Sequence, residues 1–354
     1  VTMLTGKRDQ AQEGGDNSTN YQAGKDIHVH GLTIDEARVV ALDVFRSNAI
    51  ELAGVAQALA VARAERLTDE FLAKLEREIP ARVGQLADPD VQSVVFQAQK
   101  EIARSGEEDL RTALVDLLAA RVGEEERNLR ALALNEAIAS APKLTEEQRR
   151  AVAWVFYLKY SRALDVGTPD AFYSRLTRES SALGVDVPKG QADYQHIEYV
   201  GAGSLSIATT SFGKGIMSGV EGLFTNGFAE TDIDPALLEE LRTHNFVTPA
   251  LRDANRLQLA LLGDEDLENR GAELGLAARL PELRNVVSLG RMSESDVSDE
   301  VVAKVPGIAA LRDAWDDNQT GLQSMKLTSV GLALGHAYWT RLTGADAPLS
   351  IWLP

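Results

Sequence analysis

Three kinds of hydrophobic pattern follow one another along the chain, and each predicts a different element. Lys25-Asp26-Ile27-His28-Val29-His30 alternates strictly, with Ile27 and Val29 on one face and Asp26, His28 and His30 on the other. Period two with β-branched residues reads as a short strand. Asn20-Tyr21-Gln22-Ala23-Gly24 supplies a first strand before it, with Gly24 at the turn. A lone hairpin is marginal in water. Residues 1–31 are therefore read as a β element that needs a partner surface, either the chain's own helices or another copy.

Over residues 32–185 the spacing becomes helical. Thr33 and Glu36 stand at capping-box spacing, so the hydroxyl can take an orphan backbone N–H while the carboxylate reaches back. After them Ala37, Ala41, Val44, Leu52, Val55, Leu59 and Ala62 keep a three-four spacing that predicts one buried stripe. Asp88-Pro89 and Thr168-Pro169 put proline at a first helical position, where no N–H is needed. Leu110, Leu114, Leu117 and Leu118 form another core stripe, and Thr145 with Gln148 makes a second capping box ahead of Trp154, Val155 and Phe156. The last helix of this region fades at Gly184. Short connections favour an antiparallel bundle or stacked helical hairpins.

Residues 186–354 begin after Pro188-Lys189-Gly190 and open with a glycine-rich stretch, 199–227. There Leu205 and Ile207 alternate with Ser204 and Ser206, which predicts a strand or a closely packed extended loop. Helices are expected to resume at Asp234-Pro235, at Thr248-Pro249 with Leu257, Leu261 and Leu262 as its apolar face, at Asp264, and over Thr328 to Thr343. The end, Leu349-Ser350-Ile351-Trp352-Leu353-Pro354, is apolar and is expected to dock on a core or on a neighbouring subunit. The fold class is therefore mainly α: an N-terminal β element, a helical domain, and a second α-rich domain with minor β.

Composition narrows the function classes. Cysteine is absent, which removes disulfides, thiolate metal sites and a cysteine nucleophile. The formal charge is -17, from 36 basic and 53 acidic residues. Residues 186–354 hold 13 Lys/Arg against 24 Asp/Glu and would repel a phosphate backbone, so nucleic acid is not expected as a partner. Gly6-Lys7-Arg8-Asp9 follows Met3-Leu4 at once, with no apolar signal segment, and the address expected is the cytoplasm. Tyr199 to Gly213 is uncharged but too short and polar for a membrane span.

Candidate chemistry is sparse. Asp26, His28 and His30 share a strand face and match a transition-metal ligand set; the alternative is a solvated polar face. No other cofactor is implied. His196, His244 and His336 are scattered, and no Gly-x-Ser-x-Gly elbow occurs. Gly201-Ala202-Gly203-Ser204 and Phe212-Gly213-Lys214-Gly215 lack the remaining glycines and flanks of phosphate loops and read as packing or turn glycines. Gly215 to Gly219 has small-xxx-small spacing, read as packing or a hinge. Glu124-Glu125-Glu126 and Asp264-Glu265-Asp266 are expected at helix starts, where carboxylates complement the helix dipole.

Gly15-Asp16-Asn17-Ser18-Thr19-Asn20-Tyr21-Gln22-Ala23-Gly24-Lys25-Asp26-Ile27 resembles a short N-terminal element found ahead of unrelated domains in bacterial signalling and defence proteins. Leu327-Thr328-Ser329-Val330-Gly331-Leu332-Ala333-Leu334, the Leu349-Ser350-Ile351-Trp352 ending and a central Asn135-Glu136-Ala137-Ile138 resemble an uncharacterised bacterial helical family. The resemblance implies a bacterial cytoplasmic protein linked to phage defence and brings no catalytic residues. Three functions stay open. The first is a non-enzymatic, self-associating scaffold or sensor in defence or stress response, with Asn20, Gln22, Ile27, Val29, Ile351 and Trp352 making contacts to itself or another protein. The second is a membrane-acting effector using residues 199–227, and the third is a metal-dependent enzyme using Asp26, His28 and His30.

Overall fold

The computed structural model describes residues 33–48, 54–163 and 165–354. The β element expected over residues 1–31 lies outside them. The described residues form fifteen α-helices joined by short 3-10 turns, with two small antiparallel sheets. The fold is mainly α with minor β.

Local chemistry sets most helix boundaries. Helix α1 (Ile34–Asn48) starts on the expected box: Glu36 N–H donates to Thr33 Oγ1 at 3.2 Å while Thr33 N–H donates to Glu36 Oε2 at 2.9 Å. Helix α2 (Gly54–Glu78) follows, then α3 (Pro89–Ser105), capped by the Asp88 carboxylate on the amides of Asp90 and Val91. After α4 (Glu108–Gly123) and α5 (Leu129–Ser140), α6 (Glu146–Tyr160) carries the reciprocal Thr145–Gln148 box. Removing that cap with Thr145→Ala is expected to cost about 1 kcal/mol, read as a lower urea midpoint with an unchanged slope. Helix α7 (Pro169–Leu183) starts at Thr168 and stops at Gly184, whose φ of +75° no longer fits a helix.

The remaining elements run α8 (Gln191–Tyr199), β1 (Gly203–Leu205), α9 (Phe212–Met217), α10 (Pro235–Thr243), β2 (Val247–Pro249), β3 (Leu257–Leu259) and α11 (Leu267–Glu273). They continue with α12 (Leu280–Ser288), α13 (Glu294–Lys304), α14 (Ala309–Asp316), β4 (Met325–Leu327) and α15 (Ser329–Thr343). Strand β1 pairs with β4, Gly203 opposite Leu327 and Leu205 opposite Met325.

Helix α15 organises the packing. It comes from the end of the chain yet lies against α4, α5, α6 and α7. Gly335 allows this, because a Cβ there would stand 2.6 Å from the Cβ of Phe156. The main core accordingly runs from Ala37 through Trp154 and Trp315 to Leu353, and residues on both sides of 185 share it. A smaller core, Phe228, Leu237, Leu241, Phe246, Leu259, Leu267, Leu276, Leu283 and Val286, sits between the β2–β3 hairpin and α10, α11 and α12.

Four local expectations are corrected. Thr248-Pro249 does not open a helix: it lies in β2, with Thr248 opposite Gln258 and Pro249 opposite Leu257. Leu257 and Leu259 belong to the paired strand β3, so the spacing read as a helical face is a hairpin register set across the chain. The stripe from Ala37 to Ala62 is not one buried seam, because α1 ends at Asn48 and α2 buries Ala60, Ala64, Leu67, Phe71 and Leu75 instead. Val55 is 87% exposed and Leu59 50%. Glu124 does not start a helix but caps the end of α4, where it accepts from Arg130 and Asn128.

Candidate functional site

The glycine-rich stretch yields the most unusual surface feature. Beyond β1 the chain folds back onto the 322–325 segment: Ser206 N–H donates to Ser324 O at 2.9 Å and Thr210 N–H to Gln323 O at 2.8 Å. Trp315, fully buried on α14, donates its indole N–H to Thr210 O at 2.8 Å. Between these pins Ile207 is 103% exposed. A large aliphatic side chain held wholly in water on a tethered loop gains nothing for folding.

The shelf under that loop is held by Lys159. Its ammonium, half-buried at the end of α6, donates to the carbonyls of Leu322 (3.1 Å), Gln323 (3.0 Å) and Met325 (2.9 Å) and lies 5.4 Å from the centre of the Trp315 ring. Three acceptors match its three N–H donors. Burial, helped by nearby Lys326, pushes the amine down to about 8. Tyr160 completes the support by accepting from Leu327 N–H at 2.9 Å. Tyr199, 87% exposed at the end of α8, is the other large side chain left outside near β1, and it stacks on His196.

A second constellation fills the space between α2, α4, α6 and α15. Arg149 Nη2 reaches Glu107 (3.0 Å) and Asp109 (3.5 Å), and Arg341 donates to Asp109 (2.7 Å). Asp116 meets both Arg341 (3.7 Å) and Lys74 (3.1 Å), and Lys74 meets Glu78 (3.0 Å). The order of charge therefore alternates from Arg149 to Glu78. A cleft of about 390 Å³ opens beside its outer end. Burial outweighs the Lys74 cation at Asp116 and raises its carboxyl, whereas Lys74 itself is raised by Glu78 and Asp116 against its burial. Each charge is committed to a neighbour, an arrangement suited to holding helices together.

The other features singled out in the sequence have structural tasks. Asn135 joins α5 to α3 and α4, accepting from Arg121 (2.8 Å) and donating to Asp90 (3.0 Å), and Ala137 and Ile138 are core. Gly213 is a close-packing glycine: a Cβ would stand 1.9 Å from Glu294 O on α13. His336, pushed below its ordinary value by burial, pairs its Nε2 with Ala347 O at 2.6 Å. The C-terminal end docks on the chain's own core. Trp352 donates to Tyr160 O at 2.7 Å and packs on Phe156, His336 and Trp339, while Arg130 donates to Leu353 O at 2.9 Å. Ile351 stays 63% exposed. Asn20, Gln22, Asp26, Ile27, His28, Val29 and His30 lie outside the described residues. Among the described residues no group of three or more His, Asp or Glu is placed to hold a metal ion, and no helix is long and apolar enough to cross a membrane.

A protein-family model whose description reads ":-like" matches residues 31–353. The chain belongs to that family. No curated protein and no solved structure matches it. The matched span includes the Lys159 shelf, the Ile207 loop, the alternating charges and α15, whereas Asn20 to His30 precede it.

Proposed function

We propose that the protein is a non-enzymatic interaction protein that self-associates, with Ile207 as a central contact. The observation that carries this reading is the full exposure of Ile207 on a loop pinned at both ends. Rigid presentation lowers the ordering cost of binding, and a single well-seated apolar anchor supplies much of an interface's energy. The chain also offers an apolar surface to receive such a knob: the first turns of α2 expose Val55 and Leu59 together. A knob on one copy meeting a different patch on the next is a heterologous contact, which closes into a ring or extends as a filament. The exposed Ile351 and the N-terminal residues Asn20, Gln22, Ile27 and Val29 are further contacts in this reading. A place in bacterial defence or stress response rests on the N-terminal resemblance alone.

Light scattering over a range of concentrations tests it. The intact chain is expected to associate, and Ile207→Asp is expected to weaken association about 30-fold, equivalent to about 2 kcal/mol, with an unchanged melting temperature. Leu59→Asp should act in the same direction, and a chain lacking residues 1–31 measures the share of the N-terminal element. A wild type that stays monomeric at every concentration defeats the proposal.

A further inference from the structure

The C-terminal end leaves α15 at Gly344, whose φ of +71° stops the helix, and then folds back onto the core as a strap. Four contacts hold it. His336 Nε2–H donates to Ala347 O at 2.6 Å, Trp352 donates to Tyr160 O at 2.7 Å, and Arg130 donates to Leu353 O at 2.9 Å. The fourth is the Trp352 ring, whose centre lies 4.9 Å from that of Phe156 and 5.4 Å from that of His336. His336 thus grips the strap twice, at Ala347 and at Trp352. Of the side chains in these contacts, only an imidazole titrates near neutral pH.

The state of that ring follows from its partner. A carbonyl only accepts, so Nε2 carries the hydrogen and Nδ1 of the neutral ring carries none. The ring also borders the cleft of about 390 Å³ beside Lys74 and Asp116, which gives a proton a way in. A hydrogen added at Nδ1 meets no acceptor among the described residues. The new charge finds no spare carboxylate either. Glu78 and Asp116 are held by Lys74, and Asp116 also meets Arg341. Towards α7 Glu179 is held by Arg175, and towards α5 Glu124 is held by Arg130. Asp346 of the strap is exposed and makes no ion pair with the ring, and Tyr160 of α6 is engaged by Leu327 N–H. Burial accordingly pushes the imidazole below its ordinary value, with the bond to Ala347 offsetting part of the effect. Once the strap is free, water meets both ring nitrogens.

We propose that residues 345–354 are an acid-released strap, in which protonation of His336 loosens the hold on Ala347 and Trp352 and lets the C-terminal end leave the core. The docked form binds fewer protons than the free form, so acid favours release. Docking is at full strength above about 6.5, the ordinary histidine value, and weakens as pH falls from there. Release uncovers Phe156 and Trp339 and frees the buried Leu353. The inference stands apart from self-association, since light scattering reads the one and exchange at the strap reads the other.

Hydrogen exchange on the intact protein tests it, expressed as protection factors so that the intrinsic pH dependence drops out. The amides of Trp352 and Leu353, both bonded to Leu349 O at 3.0 Å, report on the strap. Their protection is expected to fall about threefold or more between pH 7.5 and pH 5, while protection along α6 holds. His336→Gln keeps a donor for Ala347 O but does not titrate, so its strap should stay level over the same range. Should that variant fail to dock the strap, titration of His336 in histidine-labelled wild type, followed by NMR, decides: its midpoint should lie below that of a free histidine and coincide with the loosening. Protection that stays level, or that rises in acid as a cation held by the surrounding rings would make it, overturns the proposal. So does an equal fall in His336→Gln, or a loosening that does not follow the titration of His336.

Discussion

Arg149→Met is expected to lower stability by roughly 3 kcal/mol. The arginine is 1% exposed, and its two Nη atoms carry its partners while Nε has none. Nη1 donates to Leu144 O at 2.5 Å and Nη2 to Glu107 at 3.0 Å, with Asp109 at 3.5 Å and the Tyr338 ring centre 5.9 Å away. Methionine fills much of the volume but leaves Leu144 O without that donor and takes one cation from Asp109. Glu107, half exposed, can turn to water, and Asp109 keeps Arg341, so the loss stays near the lower end of the range for a broken buried pair. Urea unfolding reads the effect directly. Arg149→Lys should recover only part, since one ammonium cannot replace a fork spanning two carboxylates and a carbonyl. A loss below about 1 kcal/mol in Arg149→Met would mean that the alternating charges between α4 and α15 add little to holding the helices.

How much of this could be read along the chain depends on the distance to each residue's partner. The caps at Thr33, Asp88, Thr145, Thr168, Asp234 and Thr328 were legible because a capping side chain bonds two or three residues away. Thr248-Pro249 carries the same local signature as Asp234-Pro235 but pairs with Leu257 and Gln258, so the local signal misleads there. Val55 and Leu59 keep helical spacing without being buried, because α3 and α4 set which side of α2 faces the core. The candidate site was legible only in part. Alternation around Leu205 and Ile207 announced an extended segment, yet which residue stays outside is decided by bonds to Gln323 and Ser324, more than 100 residues on. Lys159 gave no signal at all: its acceptors are backbone carbonyls, which every residue has.

Lys159→Met should cost about 2 kcal/mol and, more tellingly, should loosen the Ile207 loop. The ammonium is the common donor to Leu322, Gln323 and Met325, and Gln323 O also receives Thr210 N–H. Without it the carbonyls of Leu322 and Met325 are left without that donor, each worth about 1 kcal/mol when unmet in a half-buried place, and Gln323 O keeps Thr210 N–H alone. Hydrogen exchange at Ser206 and Thr210 is expected to speed up well beyond the global change in stability, because both amides are anchored on the segment that Lys159 holds. The pH dependence adds a sign. The native amine lies at about 8, below the unfolded value of about 10.4, so between those limits the unfolded chain binds more protons than the folded one. Stability from this group therefore rises with pH across that window and is lowest below 8. The wild type should gain on Lys159→Met, which cannot titrate, as pH climbs from 8 toward 10. If association depends on how rigidly Ile207 is held, Lys159→Met should also weaken it while leaving the isoleucine in place. Exchange rates at Ser206 and Thr210 that follow only the global loss would separate the shelf from the loop and leave Ile207 to act without it.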